Sequence, residues 1–451
     1  MRTIGAVLAA GKGERMRIAT PKPLFPLLGR PMIAYALDAL LGAGIRRSII
    51  ITSPVLRGPL KRELPATGSF VIQPHPLGTG DAVSRIKSSC PSPGTLVVIN
   101  ADSPLFEPGH IRALLAAHAA ARAAVSFATA VVQDPGGLGR VLRDPAGQVA
   151  NIVEDAEASP QVRRIREINA GLYAFEAPAI FELLDSIKPV GAKREVYLTR
   201  AVELAISRGF TVATVSVPPE ASFGVNTLAE AAQAQAALLA RKLALLMAEG
   251  VMIDDPSSVY VDWDVAVGPG SRMFPGTLLS GKTRAGAGCA LGPHAVIRDA
   301  TLGNRVEVRA SWVTGSRLDD DAAVGPFAHI RPGCTVGKGA HVGTHAEIVR
   351  TILGTRARMH HFSYLGDASV GPDANIGAGA VSANYDGRRK HPTRIGRGAF
   401  IGSGAVLVAP ASIGDRAVVG AGSVVPAGRP VPARAVVAGV PARSLKRRKR
   451  G

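Results

Sequence analysis

The chain has 451 residues, with 53 Lys and Arg against 34 Asp and Glu, a formal charge of +19, and is 47% apolar and 19% charged. That length allows two or three domains with ample core, and that balance excludes general disorder. Aromatics at 4% leave few stacking platforms for single-stranded nucleic acid, and three distant cysteines (Cys90, Cys289 and Cys334) without CxxC spacing argue against a disulfide framework or a structural zinc site.

The first ten residues begin like a signal peptide. The apolar run is short, however, and the loop Gly11-Lys12-Gly13-Glu14-Arg15 follows instead of a small-residue cleavage site. The longest apolar stretch, 113–132, is interrupted by His118 and Arg122 and does not suit a bilayer. The expected location is the cytoplasm, without membrane association. Residues 3–9 read as a buried strand followed by a Gly-rich loop. Residues 31–43 have helical periodicity, and 48–52 and 95–101 are short β-branched or apolar runs. This alternation predicts a mostly parallel, Rossmann-like α/β sheet with crossover helices. Residues 229–249, rich in Ala, Leu, Gln and Lys without Gly or Pro, predict one long helix ending at Gly250. The expected limits are a first domain at 1–226, a linker helix at 227–249 and a second domain at 250–451.

Beyond that helix the grammar changes. Val261, Val267, Met273, Leu279, Ala285, Leu291 and Ile297 fall six residues apart. The spacing returns from Val324 to Ile348, at Val370 and Ile376, and from Ile395 to Val425. Neither a helix nor an alternating strand has a period of six. A triangular parallel β-helix does, each hexapeptide making one side with its apolar residue inside. From Ser382 to Ile395 the step is thirteen, so 383–394 must leave the coil as a loop carrying Asn384, Tyr385, Asp386 and Lys390.

Three groups in the first half invite chemistry. Gly11 and Gly13 can bring backbone N–H groups to a phosphate, with Arg15 and Lys22 adding charge; the alternative is an ordinary strand-to-helix turn. Asp102 follows the strand at 95–101, at the carboxyl end where parallel sheets bind ligands. It is a helix cap or, with a triphosphate present, a Mg²⁺ ligand. Asn226 is a second such ligand or a cap.

Val7–Met16 with Pro21-Lys22-Pro23-Leu24, Gly29-Arg30-Pro31-Met32, Gln73, Leu77-Gly78-Thr79-Gly80, Asp102-Ser103-Pro104-Leu105, Gly139-Arg140-Val141, Glu154, Asn169 and Gly224-Val225-Asn226 resemble sugar-phosphate nucleotidyltransferases. Followed by hexapeptides, they resemble the bacterial bifunctional N-acetylglucosamine-1-phosphate uridyltransferase/glucosamine-1-phosphate acetyltransferase family over essentially the whole chain. The resemblance implies a nucleotidyltransferase domain joined by the long helix to a C-terminal left-handed parallel β-helix of hexapeptide repeats. It puts Leu8, Ala9, Gly11, Gly13, Arg15 and Lys22 on UTP, with Arg15 and Lys22 acting on its phosphates. Gln73, Gly78 and Thr79 lie at the uracil. Gly139, Glu154 and Asn169 hold the amino sugar, and Asp102 and Asn226 bind Mg²⁺. The sugar-1-phosphate then attacks the α-phosphorus of UTP in line, which needs positioning and charge neutralisation more than a protein nucleophile.

His360-His361-Phe362-Ser363-Tyr364 interrupts the hexapeptide grammar. A His here is a solvated corner, half of a metal pair without partners at zinc spacing, or a general base for an attacking amine. The resemblance gives His361 the last role. It also puts Arg331, Tyr364, Asn375 and Lys390 on the sugar phosphate, and Ala378, Asn384, Tyr385, Ser403 and Ala421 on acetyl-CoA. It implies a homotrimer, and a product that feeds peptidoglycan and other cell-envelope precursors. Five positions depart from the family pattern: Asn100-Ala101 where an aromatic-Gly pair is common, Arg200 where Asp is frequent, Val349 where a phosphate-binding Lys is usual, and Gly439 where some members carry Arg. Two rivals remain: a nucleotidyltransferase with a non-catalytic β-helix scaffold, and one acting on another sugar-1-phosphate. The tail at 443–450, six basic residues in eight, reads as a solvated run that can also draw anionic substrates. Nucleic acid is not the expected partner, for want of any motif beside the charge.

Overall fold

Apolar residues fill both faces of the strand Arg2–Ala9, with Ile4, Ala6 and Val7 buried, because helices cover both sides of the sheet to which it belongs. The computed structural model describes residues 2–11, 13–64, 68–91, 93–189 and 194–445. The chain forms two compact units, 1–238 and 239–451, dividing within the helix Leu228–Ala248.

The first unit is built on a sheet ordered Val212–Ser216, Val125–Val131, Glu167–Glu176, Gly94–Asn100, Arg2–Ala9, Ser48–Thr52 and Ser69–Ile72. Pairing along it is parallel except for Glu167–Glu176, which runs antiparallel to both neighbours. The hairpin Arg140–Arg143/Val149–Val153 branches from that strand through Ile168 and Arg140. Helix Met32–Gly42 buries Ile33, Leu37 and Leu40 against Ile50 and Ile99 on one side of the sheet. On the other side Phe127 and Phe175 pack with Ile180 and Leu183 of helix Ala177–Asp185. Each such fully buried side chain contributes roughly 1.5–3 kcal/mol of transfer free energy. Because Arg2–Ala9 and Gly94–Asn100 are parallel neighbours, their carboxyl ends open on one rim and deliver Gly11, Gly13 and Asp102 there.

The second unit is a left-handed parallel β-helix. Among the described residues its sides are sheets of twelve, ten and nine short strands, in which every third strand of the chain is a neighbour until the end, where Val418–Val419 pairs with Val436–Ala438 and that strand runs antiparallel to Arg443–Ser444. All the hexad positions read from the sequence point inward and are buried, from Val261 at 0% exposed to Val425 at 1%. The period lapses where sides shorten to five residues. Leu302, Val308, Val313 and Leu318 continue the core between Ile297 and Val324, as do Leu353, Met359 and Leu365 between Ile348 and Val370. Leu243 and Leu246, in the last turns of the long helix, join the β-helix core, and Lys242 Nζ donates to the Val265 carbonyl at 2.7 Å. Burial lowers the Lys242 pKa. Among the described residues no helix is long and apolar enough to cross a membrane. Residues 446–451, most of the basic tail, lie outside the described residues.

Candidate functional site

In the first unit a cavity of about 820 Å³ opens at the rim of the sheet. Leu8, Ala9, Gly11, Gly13, Arg15, Lys22, Gln73, Gly78, Thr79, Asp102 and Asn226 all line it. Gly13 has φ +66°, and a Cβ there would stand 2.6 Å from Lys22 Cβ, so the loop and the lysine approach only because the side chain is missing. Lys22 Nζ donates to Asp102 Oδ2 at 2.5 Å and to Asn226 Oδ1 at 2.8 Å, and Arg15 Nη2 donates to the same Asn226 oxygen at 2.7 Å. Two cationic groups and two oxygen acceptors thus converge from four separate segments. Asn226 is fixed where it stands by Glu230, whose carboxylate accepts the Asn226 and Thr227 N–H groups at 2.6 and 2.7 Å, at the start of helix Leu228–Ala248. The Asp102 carbonyl accepts from the Val225 N–H at 2.9 Å, which ties the Asp102 and Asn226 segments together.

The wall opposite is the 77–80 loop. Gln73 Nε2 donates to the Gly78 carbonyl at 3.0 Å and to Asp81 Oδ2 at 2.8 Å, so its carboxamide is held by its own loop. Gly78 has φ +93°, and a Cβ would come within 2.5 Å of the Val196 carbonyl oxygen. The loop is paired to segment 195–199: Val196 N–H donates to the Leu77 carbonyl and Gly80 N–H to the Val196 carbonyl, both at 2.8 Å, and Leu198 N–H donates to Thr79 Oγ1 at 3.0 Å. The sequence does not show this link to the 77–80 loop, since it is backbone pairing between residues far apart.

Gly139, Glu154 and Asn169 form a neighbouring group outside that cavity wall. The Asn169 N–H donates to the Gly139 carbonyl at 2.9 Å, and Asn169 Nδ2 donates to Tyr173 Oη. Burial pushes the Tyr173 hydroxyl far up, so it stays protonated. Glu154 Oε1 accepts from Thr199 Oγ1 at 2.7 Å. Arg200, the unexpected residue after Thr199, pairs with Glu157 at 2.7 Å and Glu203 at 2.6 Å. Tyr197 Oη donates to Glu195, and that hydrogen bond, with burial second, pushes the hydroxyl up to about 12.

The β-helix residues spread over two edges of the prism, the face between them and one adjoining face. Corners 360–362, 377–379, 402–404 and 420–422 stack along one edge through Gly379 N–H to Phe362 O at 2.5 Å, Gly404 N–H to Ala378 O at 2.7 Å and Gly422 N–H to Ser403 O at 2.8 Å. That edge carries His361, Ala378, Ser403 and Ala421. His361 is exposed, with His360 beside it (centroids 6.5 Å apart) and His341 edge-on to His360 at 4.5 Å. Burial, then His360, lowers the His341 pKa; burial, then Arg358 and His361, lowers that of His360. Both therefore stay uncharged near neutrality. Among the described residues no group of three or more His, Cys, Asp or Glu could hold a metal ion. Asn375 lies on the adjoining face, paired between Arg358 and Phe400.

The face after His361 carries Tyr364, and the far edge carries the loop. Gly366 leaves room there for Tyr364 Oη and Asn384 Nδ2, both of which a Cβ would strike. Asp367, six residues beyond His361, does not orient it. Its Oδ1 and Oδ2 accept a two-point grip from Arg350 at 2.6 and 2.9 Å, and Oδ2 also accepts from Asn384 Nδ2 at 2.6 Å. Val349 is buried, and the Arg350 guanidinium beyond it is committed to Asp367. Arg331 pairs with Glu347 at 2.9 Å. The excursion spans 384–392, a residue or two shorter at each end than the spacing implied, because Ala383 and Thr393 remain in strands. Tyr385 and Lys390 bridge across it, and Asp386 closes it by accepting from Arg388 N–H, Arg389 N–H and His391 Nε2 at 2.8, 2.7 and 2.6 Å. Gly439 has φ +98°, a conformation that a side chain such as Arg adopts only with strain.

Residues 4–217 match the nucleotidyl transferase family, and residues 392–427 match the bacterial transferase hexapeptide (six repeats) family. Over 406 residues, 90% of this chain and 88% of the relative, the sequence is 40% identical to "Bifunctional protein GlmU" of Heliobacterium modesticaldum. It is 40% identical over 412 residues to the protein of that name from Pelotomaculum thermopropionicum (91% and 90% covered), and over 406 residues to that from Thermus thermophilus (90% and 89%).

Proposed function

Because the chain belongs to the bifunctional GlmU family, we propose that its two units make UDP-N-acetylglucosamine in sequence. The β-helix acetylates glucosamine-1-phosphate with acetyl-CoA. The first unit then transfers uridylyl from UTP to the N-acetylglucosamine-1-phosphate so formed and releases pyrophosphate. The product supplies peptidoglycan and other envelope precursors, in the cytoplasm.

One observation carries the uridylyl assignment: the convergence of Arg15, Lys22, Asp102 and Asn226 around one point in the cavity. Asp102 Oδ2 and Asn226 Oδ1 are hard oxygen donors that already bracket a cation, the Lys22 ammonium, so this pair fits a divalent ion. Asp102 and Asn226 would hold Mg²⁺, which when bound neutralises charge across the phosphates. The Gly11 and Gly13 amides approach the same phosphates, and Arg15 and Lys22 leave their protein partners for the triphosphate as it enters. Leu8, Ala9, Gln73, Gly78 and Thr79 enclose the base, and Gly139, Glu154 and Asn169 hold the sugar. The attacking phosphate oxygen is already ionised, so no protein base is needed.

For acetyl transfer, His361 takes the proton as the 2-amino group attacks the thioester carbonyl. The carbon–nitrogen bond forms, the carbon–sulfur bond breaks and the CoA thiolate leaves. Arg331, Tyr364, Asn375 and Lys390 orient the sugar phosphate. Ala378, Asn384, Tyr385, Ser403 and Ala421 accept the CoA arm, in a homotrimer whose flat β-helix faces pack together. The order built into the 384–392 loop supports catalysis over a passive scaffold, which has no use for a clamped excursion.

Mass spectrometry of products from glucosamine-1-phosphate, acetyl-CoA, UTP and Mg²⁺, with each reactant omitted in turn, tests this reading. The complete mixture yields UDP-N-acetylglucosamine, and omission of UTP stops at N-acetylglucosamine-1-phosphate. Absence of acetylated product, with uridylyl transfer to added N-acetylglucosamine-1-phosphate intact, establishes the scaffold reading instead.

A further inference from the structure

We propose that Thr199 is a positioning residue that sets sugar selectivity by orienting Glu154, within a strap at 195–199 that fastens the base side of the pocket to the sugar side. The inference rests on the reading that Glu154 holds the amino sugar. The strap's backbone faces the 77–80 loop: Val196 exchanges two bonds with Leu77 and Gly80, and Leu198 N–H is accepted by Thr79 Oγ1 at 3.0 Å. The next side chain turns the other way. Thr199 is 6% exposed and its hydroxyl donates to Glu154 Oε1 at 2.7 Å.

A carboxylate with one oxygen anchored has its second oxygen aimed. Glu154 Oε2 is aimed at Gly139, where a Cβ would lie 3.5 Å from it, and the Gly139 carbonyl in turn accepts the Asn169 N–H. The carboxylate, the glycine and the amide therefore form one fixed acceptor and donor set, suited to an N–H or hydroxyl of a pyranose carrying an acylated amine. Arg200 braces the same segment from behind, through its pair with Glu157. Two adjacent residues, Leu198 and Thr199, thus reach opposite halves of the pocket, and any shift of the strap moves Thr79 and Glu154 together.

The test compares wild type, Thr199→Val, Thr199→Ser and Glu154→Gln in uridylyl transfer to N-acetylglucosamine-1-phosphate and to glucose-1-phosphate. Thr199→Val keeps the shape and the Leu198 backbone bond but removes the donor. It should raise the KM for N-acetylglucosamine-1-phosphate about ten-fold, as expected for loss of one hydrogen bond to a charged group. It should narrow the preference over glucose-1-phosphate and leave the KM for UTP within about two-fold, which reports a folded pocket. Thr199→Ser should restore the wild-type values. If Thr199→Val leaves the sugar KM unchanged while Glu154→Gln raises it, the positioning role fails and the Glu154 reading stands. If Glu154→Gln changes nothing, both fail. A parallel rise in the KM for UTP, or equal damage in Thr199→Ser, also overturns the proposal.

Discussion

Lys22→Met removes an ammonium while keeping an unbranched stem, and the structure sets what that should do to metal binding. Nζ lies 2.5 Å from Asp102 Oδ2 and 2.8 Å from Asn226 Oδ1, with the Lys22 side chain 11% exposed and that of Asp102 30% exposed. A divalent ion that uses those two oxygens must first break both bonds. A hydrogen bond to a charged partner contributes about 1.5–3 kcal/mol, and partial exposure of Asp102 puts the sum near the low end. At about 2 kcal/mol, displacement of the ammonium weakens metal binding roughly thirty-fold. Mn²⁺, followed by electron paramagnetic resonance without nucleotide, should therefore bind Lys22→Met about thirty-fold more tightly than wild type. With UTP present the balance reverses, because the variant has lost a phosphate contact, and uridylyl transfer should fall by about 10²–10³. Unchanged or weaker Mn²⁺ binding to the nucleotide-free variant would refute the idea that Lys22 keeps the metal's place.

His361→Ala should reduce acetyl transfer by about 10²–10⁴ and leave uridylyl transfer intact; a matching loss of both activities in a folded variant argues against separate sites. Gly78→Ala puts a Cβ against the Val196 carbonyl at φ +93°, so the loop must shift and the KM for UTP should rise at least about ten-fold; an unchanged KM removes the loop from the base site. The Arg350 guanidinium holds the Asp367 carboxyl below the usual carboxylate range, with burial opposing and Asn384 assisting. A pKa below the unfolded value of about 3.9 means that the pair stabilises the fold fully above that pH and loses its effect as pH falls through the folded value. The melting midpoints of wild type and Asp367→Asn should thus differ steadily from about pH 5 to 8 and converge below about pH 4. A gap that widens in acid contradicts the pairing.

Much of the architecture was legible because its signals are periodic. Residues 48–52 are a strand as read, and the helix expected at 229–249 spans Leu228–Ala248. Every hexad residue faces the prism interior, since a period of six admits few other folds. The stretches at 298–323 and 349–369 escaped that count because single five-residue sides, such as Ile297 to Leu302, shift the phase without interrupting the stack. At the first site, the glycines, Lys22, Asp102 and Asn226 could be marked from residue type beside strand ends. Leu198, Thr199 and Arg350 could not. Their roles come from pairing with residues distant in sequence or one coil away, and an isolated Leu, Thr or Arg carries no local sign of it. Asp367 is a further case: it pairs with Arg350 and Asn384, each a coil away, which its place in the sequence does not show.

The excursion at 384–392 leaves the coil after Ala383 and rejoins it at Thr393, and pairing resumes at once, Ala368 with Thr393, Ser369 with Arg394 and Val370 with Ile395. Length added at an edge is therefore quarantined there: the strands on either side pair in register across the excursion, and the extra chain meets the coil above at the edge, through Asn384 and Asp367. A prism corner serves as a splice point where new reach toward a substrate can be gained or trimmed while the packing problem stays solved.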